Sequence, residues 1–231
     1  MSKFFRHKLD RDGSCSEMGE NAETLFSKAA KKNGYDVLKA NKKLEFDKVD
    51  FVLTKGEKKI KVEVKARKRI SRKDKVAQDE LLWVEISNVS AKEGNNGWLY
   101  GGADVIAFEQ EDKFVIVNRE SLVSYVEKNC DLTNFVKNSK DALYKSYRRR
   151  DRPAEHLTIV DFSKMLKNVL HVSWNKHDDR ELPAGFYIEC REQKNGPWHF
   201  FSRTPYGSFD EAVTKMREIE AGYVETLIRK K

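Results

Sequence analysis

Cysteine is scarce in this 231-residue chain and never closely spaced. Cys15, Cys130 and Cys190 lie far apart with no Cys-x-x-Cys pair, which argues against a zinc ribbon or a thioredoxin-like site. Their odd number and wide spacing imply reduced thiols in a cytoplasm-like compartment. The five histidines are scattered without His-Glu-x-x-His or His-x-His spacing, so zinc catalysis has little support. No apolar run is long enough to cross a bilayer. The stretch MSKFFRHKLDRDG lacks the apolar core of a signal peptide. Internal repeats and low-complexity tracts are also missing. A soluble, cytoplasmic protein without a membrane partner is expected (in the host cytoplasm, if the protein is viral).

Charge and aromatic residues are abundant. Charged residues make up 35% and hydrophobic ones 39%, and 13 Phe, 8 Tyr and 4 Trp suffice for a core, so the chain is polar but not disordered. The net charge of +8 and pI near 9.2 favour a polyanionic partner, because each cation placed on a phosphate releases a condensed counterion. A merely soluble basic surface is the alternative.

Three parts are expected: a flexible arm over residues 1–18, a main domain over 19–175 and a small ββα unit over 183–231. In the main domain a helix over 19–33 carries Ala22, Leu25, Phe26, Ala29 and Ala30 on one face, and Gly34 is its C-cap. YDVLKAN then enters a sheet. VDFVLTKGEKKIKVEVKA reads as a hairpin, Val49–Leu53 and Lys59–Ala66. QDELLWVEISNV reads as a short helical entry and a strand over 82–89. ADVIAFEQEDKFVIVNRE is a strand, a turn and a strand, and RESLVSYVEKN is a helix. NSKDALYKSYRRRDRP is basic and partly helical, and EHLTIVDFSKML is a strand followed by a short helix. Beyond Pro183 and Gly185, GFYIECREQ and GPWHFFSRTP form a second hairpin. The helix SFDEAVTKMREIEAGYVETLIRKK closes the chain, with a Ser208-x-x-Glu211 capping box.

The first hairpin carries the chemistry. Strand alternation sends Ile60, Val62, Val64 and Ala66 one way and Lys61, Glu63 and Lys65 the other. A short antiparallel hairpin brings Asp50 close to Glu63, so two carboxylates and a lysine converge. Such a trio suits magnesium, which takes hard oxygen ligands and keeps several waters. It therefore suits phosphodiester hydrolysis, with the lysine orienting a water or neutralising phosphate charge. Each residue alone has a plainer reading: a solvated Glu-x-Lys ion pair, and an Asp in a turn.

The run GENAETLFSKAAKKNGY, followed by VDFVLTKGEKKIKVEVK, resembles the PD-(D/E)XK nuclease superfamily, and within it the core of archaeal Holliday-junction resolvases. Gly19-x-x-x-Glu23 matches the helix motif, Asp50 the hairpin aspartate, and Glu63-Val64-Lys65 the Glu-hydrophobic-Lys. Val49 replaces the motif's proline, and Asp47 is a competing aspartate; the resemblance fades beyond Lys68. It implies an α/β fold, a mixed central sheet flanked by helices (a restriction-endonuclease-like core). It implies Mg²⁺ or Mn²⁺ held by Asp50, Glu63 and the Val64 carbonyl, Lys65 at the attacking water, and Glu23 completing the site through a second metal or a water. The function implied is DNA phosphodiester hydrolysis, with an endonuclease preferred and a homodimer common in this fold. Size, charge and motif context are compatible with a phage or mobile-element protein. The alternatives are a nuclease fold that binds nucleic acid without cutting, an exonuclease or RNA-directed nuclease, and a basic scaffold.

Further residues suit nucleic acid: Arg67, Lys68, Arg69 and Arg72 after the hairpin, with Gln78 where several superfamily members carry a site glutamine. Trp98 and Tyr100 stand in a Gly-rich loop and could stack on bases, or else pack the loop onto the domain. Arg148, Arg149 and Arg150 interleave with tyrosines. For each basic run a solvated surface is the alternative.

Overall fold

The computed structural model describes residues 14–70, 77–87, 97–149, 152–176, 185–191, 199–201, 205–219 and 225–230. The chain begins with helix α1 (Ser14–Lys32), followed by β1 (Asp36–Lys39), the short α2 (Lys42–Phe46) and the hairpin β2 (Phe51–Lys55) and β3 (Lys58–Lys65). Next come β4 (Leu81–Ser87), a 3-10 turn over Trp98–Tyr100, β5 (Val105–Glu109) and β6 (Lys113–Asn118). Helix α3 (Arg119–Asn129), β7 (Asp131–Val136), β8 (Lys145–Arg149), β9 (Arg152–Asp161), α4 (Phe162–Leu166) and β10 (His171–Asn175) complete the larger part. The last part holds β11 (Phe186–Arg191), β12 (His199–Phe200), α5 (Phe209–Ile219) and β13 (Glu225–Lys230). The class is α/β, with mixed sheets flanked by helices.

The central sheet has the order β1-β2-β3-β5-β6-β10. Only β3 and β5 run parallel; every other pair in it is antiparallel. A parallel pair needs a crossover, and here the described residues of that excursion hold β4 and the 3-10 turn. One face of the sheet packs on α1 through Phe26, which is fully buried. Its ring meets Phe114 edge-on at 5.3 Å, stacks on Trp174 at 5.7 Å and lies 6.0 Å from Phe51. The other face packs on a second sheet, β4-β9-β8-β7, together with α3 and α4. β11, flanked by β12 and β13, forms a third sheet.

Several elements differ from the sequence expectation. Helix α1 starts at Ser14 and runs through Gly19; Glu17 in its first turn complements the dipole. Residues 77–80 form no helix, because the Gln78 side chain bonds both the N–H and the carbonyl of Leu81 and opens β4 instead. KSYRR is a strand rather than part of a helix: β8 lies between β7 and β9, and its Tyr147 packs 5.9 Å from Trp83. The last helix is described over Phe209–Ile219, and residues 225–230 pair with β11 rather than continuing it, so the described C-terminal elements are ββαβ. The Ser208 hydroxyl does cap α5 by accepting the Glu211 N–H, while the Glu211 carboxylate bonds the Gly207 N–H.

Candidate metal and phosphate site

Asp50 is placed by backbone on both sides. Its N–H donates to the Val62 carbonyl at 2.8 Å, and its carbonyl accepts from Ala40 at 2.8 Å. Val49 before it and Phe51 after it are buried, which anchors the aspartate between two core residues. Phe51 pairs with Val62 across the hairpin, and the Asp50 N–H bonds that same Val62 carbonyl, so Asp50 stands just before the paired strand and within electrostatic reach of Glu63. The Asp50 carboxylate is further fixed by the Val64 N–H, 2.7 Å from Oδ2.

Glu63 is not the solvated half of a surface pair. It is 5% exposed: its register partner on β5 is Ile106, and Phe108, the partner of Lys65, follows on the same face, both core residues. Lys65, next on the same face, donates to Glu63 Oε1. Its Nζ also stands 5.8 Å from the Trp98 ring centre, and Trp98 is held edge-on against Phe108 at 5.6 Å. Asp50, Glu63 and Lys65 are thus brought together, half-buried or buried, with Trp98 of the 3-10 turn and Glu85 of β4 beside Lys65.

The electrostatics follow from that burial. Burial and then the adjacent Glu63 carboxylate push the Asp50 pKa up to about 7, against the pull of the Val64 N–H and Lys65. Burial pulls Lys65 down, but Glu63, Asp50 and Glu85 outweigh it and hold the ammonium above its usual value. Glu85 on β4 lies within electrostatic reach of Lys65, and its carboxyl is pushed up, chiefly by burial. Sequence reasoning missed Glu85 and the Val64 amide. The only signal for Glu85 was a charge inside the apolar run LLWVEIS.

Glu23 on α1 is within electrostatic reach of Asp50, yet its carboxylate bonds Lys39 at 3.1 Å. Among the described residues no group of three or more acidic, His or Cys side chains is arranged around a common point for a metal. Two carboxylates are enough for magnesium, which keeps most of its waters. Asp50 and Glu63 each use one oxygen on the protein, and among the described residues the second oxygen of each makes no protein hydrogen bond. This donor set, two mutually repelling carboxylates with an oxygen to spare on each, fits a hard divalent cation. Asp47 does not share the site: it is exposed, caps α2, and its carbonyl accepts from Gly102 at 2.8 Å.

The other expected residues divide. Trp98 is buried at 4%, so it packs the loop and offers no face to a base, which corrects the stacking expectation for it. Half-buried Tyr100 bonds Glu127 at 3.0 Å. Gln78 is committed to Leu81. Arg67 is tied to Asp79 at 2.6 Å and Glu111 at 3.4 Å, while its N–H reaches Glu109, which pairs with Lys176 at 2.7 Å. That network clamps the chain leaving β3. Lys68 and Arg69 are exposed just beyond it. Arg148 lies 4.0 Å over the Phe135 ring, and Arg149 pairs with Glu155 at 3.2 Å. Arg72 and Arg150 lie outside the described residues.

No family model, no curated protein and no solved structure matches this chain. No helix among the described residues is long and apolar enough to cross a membrane.

Proposed function

We propose that this chain is a Mg²⁺- or Mn²⁺-dependent nuclease that hydrolyses DNA phosphodiester bonds internally, on a restriction-endonuclease-like core. The observation that carries this reading is the convergence of Asp50, Glu63 and Lys65 on one sheltered face of the β2–β3 hairpin. Sheltering strengthens every charge interaction there, since the field of Lys65 is less screened than in water. A divalent cation bound at the two carboxylates would polarise a phosphoryl oxygen and lower the pKa of its water. Asp50 and Glu63 would hold and orient it, Asp50 kept in place by the Val64 amide and its backbone bond to Val62, and Glu63 by the β3–β5 register. Lys65 presents its ammonium where negative charge develops on the phosphate, braced by Glu63 and the Trp98 ring. The basic balance of the chain suits the polyanion. A homodimer in the cytoplasm belongs to the same proposal.

A second reading has one observation in its favour: Glu63 and Lys65 already satisfy each other, as they would in a nuclease fold that binds without cutting. One assay separates the two. Supercoiled plasmid, single-stranded circles and a four-way junction are incubated with the protein and Mg²⁺ or Mn²⁺, beside Asp50→Asn and Lys65→Ala variants shown by circular dichroism to be folded. Nicking that needs metal and vanishes in both variants supports the nuclease. Gel shifts without cleavage support the binding module. Cleavage unchanged in both variants would sink the site assignment.

A further inference from the structure

A second site stands apart from the hairpin, in a groove of about 440 Å³ between the ends of α3 and α4 and the entry to β8. Tyr125, Asn129, Tyr144, Lys164, Lys167 and Asn168 line it. The groove is open on one side, so a ligand seated in it keeps one side in solvent. Its floor is a pair of phenols: the Tyr125 and Tyr144 hydroxyls lie 3.2 Å apart. One of the two donates to the other, which leaves the acceptor's own proton free for a ligand. Tyr144 is also held at φ 58°, a left-handed backbone that bulky residues rarely adopt. Two backbone bonds pin it there, from its N–H to the Ile159 carbonyl at 2.7 Å and from the Asp131 N–H to its own carbonyl at 2.9 Å. Strain of this kind persists where the fold needs a side chain in one place.

The rim supplies complementary chemistry. Asn129 and Asn168 each donate to a helix carbonyl at 2.8 Å, to Tyr125 and Lys164 respectively, which leaves their amide oxygens as acceptors. Lys164 has only a 3.8 Å approach to Asp161, and Lys167 has no ion-pair partner among the described residues. The groove therefore combines two ammonium groups, a free phenol proton, the half-buried Tyr144 side chain and two amide acceptors. We infer that it binds a nucleoside monophosphate, its phosphate at Lys164 and Lys167 and its sugar and base against the tyrosines and asparagines. A free nucleotide and the phosphorylated end of a strand share this chemistry. The inference is independent of the nuclease proposal.

The test is isothermal titration of the full chain with nucleoside monophosphates, inorganic phosphate, unphosphorylated nucleosides and short oligonucleotides with or without a terminal phosphate. The expected result is saturable binding of the monophosphates, weakened at least about tenfold in Lys164→Ala/Lys167→Ala and several-fold in Tyr144→Phe. Binding should persist in Asp50→Asn, which separates this groove from the hairpin site. Tighter binding of the phosphorylated oligonucleotide would make a strand end the source, and equal or weaker binding a free nucleotide. Three results would overturn the inference: no binding at millimolar monophosphate, binding indifferent to the double lysine variant, or equal binding of the unphosphorylated nucleoside.

Discussion

At the scale of single residues, the Glu63–Lys65 pair is the place where stability and chemistry meet. Taking charges out of water costs several kcal/mol per ion, and the pair offsets this only while both members remain. Lys65→Met should therefore destabilise the protein by about 3–5 kcal/mol in urea unfolding, because it strands a buried carboxylate. The double variant Glu63→Leu/Lys65→Met should recover most of that loss while remaining inactive. A double variant as unstable as the single one would mean that the pair is not coupled. His156 gives a pH prediction. Burial and then Arg148 hold its pKa below 6.5, and Ser146 shares a 2.8 Å hydrogen bond with its Nε2. The folded state thus resists protonation more than the unfolded one. Stability is full above pH 6.5 and falls as the pH drops below it and through the lowered folded value. His156→Gln should flatten that limb of a melting-temperature profile; an unchanged limb would assign it to other groups. At this scale the candidate site was largely legible, since alternation alone puts Glu63 and Lys65 on one face. The Val64 amide at Asp50 was not legible, because a backbone donor carries no residue signature.

At the scale of elements, two contacts build the site's walls. The turn that carries Trp98 runs against β4: a Cβ added at Gly97 would collide with the backbone of Glu85 and Ile86, and the Gly97 N–H donates to Ile86 at 2.9 Å. Gly97→Ala should move this turn, cost about 1–3 kcal/mol and reduce the proposed cleavage more than the fold's stability alone accounts for. Thermal unfolding beside a cleavage assay reads both. On the opposite face α1 is held by Phe26 against Phe51, Phe114 and Trp174. Phe26→Ala should cost about 3–5 kcal/mol by emptying that cluster, and chemical denaturation would measure it. A loss below about 1 kcal/mol would mean that α1 packs by other contacts. Helical spacing in LFSKAA and alternation in the hairpin made these elements readable. KSYRR and ETLIRK were not readable, since short polar segments take strand form only when a partner strand is present.

At the scale of the whole molecule, the net charge of +8 makes a prediction without any residue assignment. If a polyanion is the partner, its affinity should fall linearly on logarithmic axes as salt rises, by about a hundredfold or more between low and moderate salt when several phosphates are contacted. Fluorescence anisotropy with labelled DNA measures the slope. A flat slope would leave the basic balance as a matter of solubility alone.

What the sequence determined by itself is local: helix α1, the hairpin, and the shared face of Glu63 and Lys65, because helical and strand periods are written in neighbouring residues. Only the tertiary structure decided that this face is buried rather than solvated. Ile106 and Phe108 come from a parallel strand some forty positions away in the chain, and Trp98 and Glu85 from the excursion between them. Which face of a strand is covered depends on partners far along the chain, and no local pattern records them.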